Sequence, residues 1–418
     1  MRQFVTPLLL SLVFLLAGSA TGIAQQAGRF TFGGYGEAVM QRMFYSDNVA
    51  RYTNPAAYKE KTHGRFDIPR VVVYTSYDFG RGWRASTEIE IEHGGNGGAY
   101  EIENEETGEY ETEVEKGGEV AIEQFWIEKS WSEALNLRAG HLVVPVGLTN
   151  RYHMPTEYLT VARPEEESAI LPCTWHETGV SLRGSAGQWN YEVLFIAGLD
   201  AERFSNANWI KGGSASPYEF TIATSYATAF RVEHRPVPAL RLALSGYRGN
   251  SARNSLKSER YEQQDLDGAV TIGAFDVAYN TPRFLARACA IYGRLDDAYA
   301  ISLVNKRLPS ASPSPRTDVA SAAAGVYAEA AYNVFAARRA DRLYLYAHYG
   351  YYDSMLEVAA GLAAKPWSSR RVISAGVNYY PLESIVVKAE YAARLLRSPY
   401  NNEPTVSLGI AYAGLFTH

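Results

Sequence analysis

The chain has 418 residues, of which 47% are hydrophobic and 20% are charged, and this composition excludes a disordered tail or linker protein. Its net charge of −5 argues against a nucleic-acid-binding protein, which requires a basic face. Tyrosine occurs 30 times and glycine 35 times, and both favour strands, turns and interfacial belts over helices. The two cysteines, Cys173 and Cys289, are too few for a disulfide framework and too far apart for a zinc cluster.

Residues 1–24 are predicted to be a secretory signal peptide. A positive charge at Arg2 precedes the apolar run 8–16, and small residues up to Ala24 offer a cleavage site. The apolar run is too short for a transmembrane helix, which needs about 20 apolar residues. We therefore expect the mature protein, residues 25–418, to leave the cytoplasm.

The mature chain carries short runs in which apolar and polar residues alternate. In the run 83–92, for example, Ile89 and Ile91 alternate with Glu88 and Glu90. Because successive side chains of a strand point to opposite faces, a period of two predicts strands. Sixteen runs are predicted, near 30–40, 66–79, 83–92, 119–129, 135–141, 176–183, 188–197, 219–233, 239–247, 269–279, 284–293, 324–334, 341–350, 371–379, 384–394 and 405–415.

The connections between these runs alternate between short turns and long segments. Short turns on one side and long loops on the other are typical of a transmembrane antiparallel β-barrel, with periplasmic turns and extracellular loops. The sequence therefore predicts an all-β barrel of about 16 strands in the outer membrane of a Gram-negative bacterium. The long connections lie near 41–65, 93–118, 142–175, 198–218, 248–268, 294–323, 351–370 and 395–404.

Apolar stripes with aromatic residues near strand ends are predicted to face the lipid. The last predicted strand has the same alternation, but the aromatic Phe416 that follows it stands two residues before the end of the chain rather than at the terminus. The other predicted stripes are Trp189, Tyr191, Val193 and Phe195; Phe220, Ile222, Tyr226 and Phe230; and Ile373, Ala375, Val377 and Tyr379.

Residues 119–184 contain several motifs that occur together: EVAIEQFWIEK at 119–129, LRAGH at 137–141, VPVGLTN at 144–150 and LPCTWHETGV at 171–180. In this combination the segment resembles the phosphate-selective porin O and P family, especially its branch in Bacteroides-like bacteria. The resemblance implies a sixteen-stranded, usually trimeric porin with a folded-in third loop. Phosphate-specific members line the pore with arginines and lysines, but that ladder does not align residue by residue here.

The third long loop, residues 142–175, is the candidate pore-constricting loop. Long loops in compact folds are usually functional, and opposed charges here would set a field across the lumen; the alternative is a loop that only covers the barrel mouth. No second histidine stands at ligand spacing from His176, so we expect His176 and Glu177 to pack at a strand edge rather than bind metal. The candidate pore-lining or constriction residues are Arg84, Glu88, Glu90, Arg138, Arg151, His153, Arg163, Glu165, Arg183, Lys388 and Arg394.

These patterns favour a porin for passive diffusion of small hydrophilic solutes or ions, including anions such as phosphate. Inward-facing positions hold as many acidic as basic residues, which favours weak selectivity over a sharp phosphate filter. One alternative is a non-transporting barrel that scaffolds a surface or secretion complex. A barrel enzyme is not favoured, because the serines and histidines show no grouping of nucleophile and base. The acidic stretch 101–119 is expected to be a mobile, solvated loop, and no cofactor, metal site or nucleic-acid partner is predicted.

Overall fold

A computed structural model describes residues 29–95, 100–104, 110–114, 119–214, 221–255, 258–262, 264–308, 317–335 and 339–416. The predicted signal peptide, residues 1–24, lies outside the described residues. Phe220, which belongs to one of the predicted lipid-facing stripes, also lies outside them.

Sixteen antiparallel strands close into one barrel, as the alternating runs predict. Each barrel strand pairs with the next barrel strand along the chain, and the first strand closes the barrel on the last. The barrel strands are β1 (Arg29–Met43), β2 (His63–Gly80), β3 (Trp83–Glu92), β6 (Glu119–Ser132), β7 (Leu135–Val143), β8 (His176–Ala186), β9 (Trp189–Ala197), β10 (Tyr226–Val237), β11 (Leu240–Asn250), β12 (Ala269–Asn280), β13 (Phe284–Leu295), β14 (Ala322–Asn333), β15 (Arg342–Glu357), β16 (Ser369–Leu382), β17 (Ile385–Leu395) and β18 (Glu403–Leu415).

Two features of the long connections differ from the sequence prediction. The acidic connection after β3 contains a separate hairpin of β4 (Tyr100–Asn104) and β5 (Tyr110–Val114), where only a mobile loop is expected. Tyrosine, isoleucine, threonine and valine alternate with glutamates in both segments, and this period of two favours strands despite the charge. The connection after β13 contains a helix, Ala298–Arg307, that the sequence interpretation leaves as a loop.

The remaining helices are single turns in the long connections. Among the described residues, no helix is long and apolar enough to cross a bilayer. The α-helical turns are Pro55–Tyr58, Glu165–Ser168 and Glu259–Glu262, and the 3₁₀ turns are Val49–Tyr52, Ala201–Arg203, Lys211–Ser214 and Pro366–Ser368.

The outer face of the barrel carries the apolar residues that the strand pattern assigns to it. Phe195 is 50% exposed and Ile373 is 45% exposed, whereas their chain neighbours Leu194 and Val372 are buried. One predicted stripe is wrong in part, because β10 begins at Tyr226 and Ile222 precedes the strand. Just before β10 the backbone bonds to another loop instead of continuing the strand, since the Ser225 N–H donates to Asn254 Oδ1 at 2.7 Å.

In the main apolar cluster of the protein, long loops pack against one another on the inner side of the barrel wall. Trp175 and Ile170 of the third loop pack in the same buried cluster as Trp209 and Ile301, which belong to the connections after β9 and β13. Because these side chains come from several connections, the long loops form a packed layer rather than separate surface excursions. This layer holds the third loop in position.

Candidate functional site: the third loop inside the barrel

The third long loop, residues 144–175 between β7 and β8, lies inside the barrel and contacts inward side chains of the wall. Lys388 Nζ donates to the carbonyl oxygens of Tyr158 at 2.7 Å and Thr160 at 2.8 Å. Asn378 of β16 donates to the Leu159 carbonyl at 2.8 Å, and Arg231 of β10 donates to a fourth carbonyl, that of Gly147, at 3.0 Å. Wall side chains therefore satisfy backbone acceptors that burial of a loop would otherwise leave without partners.

Three consecutive glutamates fasten the loop to the wall. Glu165 accepts hydrogen bonds from Arg394 Nε at 2.6 and 2.8 Å, so it forms a two-oxygen ion pair with β17. Glu166 Oε1 lies 3.2 Å from His348 Nε2 of β15. Charge-assisted hydrogen bonds of this kind are the stronger ones, and their geometry is specific.

The third of these glutamates, Glu167, is fully buried and closes the base of the loop. Its Oε1 accepts the Tyr327 hydroxyl hydrogen at 2.7 Å, and its Oε2 accepts the Thr149 N–H at 3.0 Å. The Glu167 carboxylate thus links the C-terminal part of the loop to Thr149 in its N-terminal part and to Tyr327 of β14.

The loop approaches the wall closely where the wall has glycines. A Cβ on Gly325 of β14 would lie 2.0 Å from the Glu166 carbonyl oxygen. On Gly350 of β15 a Cβ would lie inside contact distance of Glu166 Oε1. Two adjacent strands therefore lack side chains at the places where Glu166 lies against them.

Burial and charge shift two of the three glutamates in opposite directions. Burial opposes ionisation of Glu165, but the Arg394 and Arg370 guanidiniums outweigh it and hold its pKa below the ordinary value. Burial raises the pKa of Glu167 to about 7, and the hydrogen bonds from Tyr327 and Thr149 offset this only in part. Glu165 is therefore charged at neutral pH, whereas Glu167 is close to half protonated.

A second anchor fixes the middle of the loop to β1 and β2. The Tyr158 hydroxyl donates to Glu37 Oε2 at 2.8 Å, and Arg70 Nε donates to Glu37 Oε1 at 3.0 Å. The same guanidinium donates to the His153 carbonyl at 2.6 Å through Nη2. All three wall and loop side chains of this anchor are buried, so the pair is shielded from solvent.

His153 extends from the loop towards β3 and β6. Its Nδ1 lies 3.3 Å from the Asn150 carbonyl, and its Nε2 lies 3.7 Å from Glu123 Oε1. Burial lowers the pKa of His153, with Arg70 acting in the same direction and Glu123 against it, so the imidazole is neutral at neutral pH. An Nδ1–H donated to a carbonyl leaves Nε2 as the nitrogen with a free lone pair.

Below the loop, at the end of the barrel with the short turns, two adjoining cavities of about 340 and 480 Å³ open between the loop and the wall. Tyr152 and Arg235 line both cavities. The charged side chains of the lining are Arg151, Arg183, Arg231, Arg235, Arg241, Arg287, Arg342, Glu133, Glu157, Glu192, Glu233 and Glu383.

Several of these arginines already pair with acidic residues of the wall. Arg231 Nη1 lies 2.8 Å from Asp276 Oδ2, and Arg287 Nη2 lies 2.7 Å from Glu329 Oε1. Arg151 is exposed, and Arg235 is about half exposed and lies 4.0 Å from Glu233. The charge available to a solute in these cavities is therefore smaller than the number of arginines suggests.

The structure brings some of the predicted site residues together. Glu165 meets Arg394, and Lys388 holds the loop backbone. Arg138 and Arg183 approach the same carboxylate, Glu128, at 2.9 and 3.7 Å. His153 of the loop lies near Glu88 of β3, and Glu90 is on the same face of that strand.

Two of the predicted site residues do not join these contacts. Arg84 is more than half exposed near the turn between β2 and β3, where it lies 3.8 Å from Asp78. Arg163 remains within the loop, because its Nη2 donates to Thr174 Oγ1 at 2.6 Å.

The sequence interpretation misses Glu123, although the sequence contains a signal for it. Ile122 and Phe125 are both outward-facing apolar residues, three positions apart, and this breaks the period of two. The break marks a β-bulge, where β6 carries one extra residue opposite Glu88 and Ile89 of β3. Consequently Glu123 and Gln124 both turn inward.

A second histidine approaches His176 in space, although none stands at ligand spacing from it in the sequence. His141 Nε2 lies 2.6 Å from His176 Nδ1, because β7 and β8 run side by side there. The separation of 35 residues hides this pair from any search for short ligand spacing.

Comparison with solved structures supports the barrel fold. An anion-selective porin from Comamonas acidovorans superposes with a TM-score of 0.53 at 11% identity, over 93% of this chain and 100% of that one. The outer membrane channel DcaP of Acinetobacter baumannii has a TM-score of 0.53 at 11% identity, over 95% of this chain and 100% of that one. At these identities the likeness concerns the fold, which is that of outer-membrane porins.

Sequence comparison adds one relative. An uncharacterized protein of Aquifex aeolicus is 24% identical over 400 residues, which are 93% of this chain and 81% of that protein. No family model matches the chain. The resemblance to the phosphate-selective porin O and P family therefore stays a prediction.

Proposed function

We propose that the protein is an outer-membrane porin, through which small hydrophilic solutes or ions diffuse passively. The observation that carries this proposal is the third loop, which lies inside a closed sixteen-stranded barrel and is held there by wall residues of β1, β2 and β14–β17. A loop in that position narrows the lumen and sets the size limit for solutes. Residues 1–24 would then direct the chain to export, and the mature barrel would comprise residues 25–418.

Anions such as phosphate are included among the proposed solutes, with weak selectivity. The cavities below the loop have seven arginines and five glutamates in their lining. Arg151 and Arg235 are exposed there, whereas Arg231 and Arg287 are neutralised by Asp276 and Glu329. A sharp anion filter needs a one-sided excess of unpaired basic groups, so we infer a small anion preference only. The family resemblance adds the expectations of phosphate as a solute and of a homotrimer.

Liposome swelling with sugars of graded size tests the proposal. Proteoliposomes containing the purified protein should swell in small sugars and progressively less as the sugar grows, because passive diffusion through a constriction depends on solute size. Swelling no faster than that of protein-free liposomes, with the protein folded and inserted, would instead favour the scaffold alternative.

A further inference from the structure

Two glutamates and one histidine meet at a place where the third loop touches the wall. Glu88 of β3, Glu123 of β6 and His153 of the loop each direct one ligand atom into a common space, and these atoms lie within 4.8 Å of one another. Glu123 is fully buried, whereas Glu88 and His153 remain partly accessible from the lumen. An ion could therefore reach the cluster past Glu88 and His153.

The two carboxylates have no basic side chain to balance them. Among the described residues, no lysine or arginine nitrogen lies within 4.0 Å of Glu88 or Glu123, and the two nearby guanidiniums, Arg70 and Arg138, pair with other carboxylates. Like charges in a poorly solvated place repel each other. A bound cation would remove that repulsion.

One buried oxygen in the cluster has no hydrogen-bond donor. Glu123 Oε1 accepts no hydrogen bond among the described residues, and His153 Nε2, at 3.7 Å, is too far away to donate one. A separation of about 3.4 Å is expected between two ligands of a tetrahedral ion with bonds of about 2.1 Å. The oxygen and the nitrogen therefore lie close to the spacing at which one metal ion would bridge them.

The surrounding hydrogen bonds orient all three side chains as in known metal sites. Tyr35 donates to the other oxygen of Glu123 at 3.2 Å, and Gln124, which the β-bulge turns inward, donates to Glu88. His153 directs Nδ1 to the Asn150 carbonyl and thereby presents Nε2 to the cluster. Glu123 and His153 thus each have one polar atom held by the protein and one left for the shared space.

We propose that Glu88, Glu123 and His153 bind one divalent transition-metal ion of the Zn²⁺ or Mn²⁺ class. One imidazole and two carboxylates suit such ions, and water would complete the coordination. The ion would tie the third loop to β3 and β6 and add a metal-dependent anchor to those made by Glu37 and by Glu165–Glu167. The inference does not depend on which solute crosses the barrel.

The test measures Zn²⁺ binding to the purified full-length protein in detergent. The protein is first stripped of metal with EDTA, and binding is then measured by equilibrium dialysis with elemental analysis. Wild type should bind one Zn²⁺ per chain saturably, and E123Q and H153Q should each weaken that binding at least tenfold. The matched control is E60Q, an exposed glutamate of the connection between β1 and β2, which should bind as wild type. H141Q should also keep this binding, and so separates it from the His141–His176 pair.

Two further measurements keep the proposal falsifiable if a variant is poorly folded. Heat-modifiable migration reports folding of each variant, and Mn²⁺ electron paramagnetic resonance on wild type reports immobilised ion directly. Absence of saturable Zn²⁺ binding to wild type would overturn the proposal. Equal binding by wild type, E123Q and H153Q would overturn it as well, because the ion would then sit elsewhere.

Discussion

At the residue scale, Glu167 should make stability depend on pH. A carboxyl whose folded pKa is raised to about 7 stabilises the folded state fully below its unfolded pKa of roughly 4.3, and this contribution is lost as pH rises through 7. The loss is on the order of 3 kcal/mol by pH 8, from about 1.4 kcal/mol per pKa unit. Glu165 adds no slope in this window, because its lowered pKa keeps it ionised.

The measurement for Glu167 is the midpoint of thermal unfolding between pH 5 and 8. Relative to wild type, E167Q should gain stability as pH rises, since its uncharged amide can still accept a hydrogen bond from Tyr327 or Thr149. E60Q, at an exposed glutamate outside the site, serves as the control and should follow wild type throughout. Parallel pH profiles for wild type and E167Q would show that Glu167 does not titrate in this range.

How far residues could be predicted from sequence depends on where their partners lie. Glu165 and Arg394 are both predicted site residues, but nothing local pairs them, since 229 positions separate them. His348 and Tyr327 are absent from the prediction, because their roles arise only when the loop lies against β14 and β15. Charged residues that face the lumen can be recognised from the sequence. Which of them form ion pairs depends on the closed barrel, which brings distant parts of the chain together.

At the element scale, the glycines under Glu166 should be needed for the position of the loop. G350A would place a Cβ against the Glu166 carboxylate, and overpacking of this kind costs about 1–3 kcal/mol. We expect a lower midpoint of thermal unfolding and a higher, noisier channel conductance, because the loop is displaced. The matched control is G273A on β12, where an added Cβ meets nothing within 4 Å. Identical behaviour of the two variants would contradict close packing of loop and wall.

Deletion of residues 149–168 should raise single-channel conductance severalfold, because the deleted segment occupies the lumen. The cut ends lie near each other, since Thr149 N–H bonds to the Glu167 side chain, so a short Gly-Ser linker can close the gap. Heat-modifiable migration must first establish that the deleted variant forms a barrel. Unchanged conductance in a folded variant would mean that the loop does not limit passage.

The strands were predictable because their signal is local. Alternation within each run gives both the strand and the face of each side chain, and all sixteen predicted runs overlap barrel strands. The helix Ala298–Arg307 and the path of residues 144–175 have no such local signal. Their positions follow from burial against other loops, as Ile301 and Trp175 illustrate in the shared apolar cluster.

At the scale of the whole molecule, the barrel should behave as an integral outer-membrane protein. It should sediment with outer membranes and migrate as a β-rich, heat-modifiable band, because its strands pair around a closed wall and present apolar side chains outward. Subcellular fractionation with gel migration before and after heating measures this. A monomer that stays soluble without detergent would be incompatible with this behaviour.

Selectivity should be weak, because ion pairs neutralise much of the charge in the lumen. The reversal potential in a chloride gradient should give an anion-to-cation permeability ratio within roughly threefold of unity. Phosphate should then compete with chloride only at high concentration. Strong block of chloride current by low phosphate would contradict weak selectivity and support a phosphate channel.

Ion passage through the barrel is the central claim, and recording from a planar bilayer tests it most directly. Purified, folded protein added to one side should produce discrete, reproducible steps of ohmic current, since the proposed function requires a water-filled path past the third loop. Bilayers that take up the folded protein and stay electrically silent would contradict a channel function for this barrel.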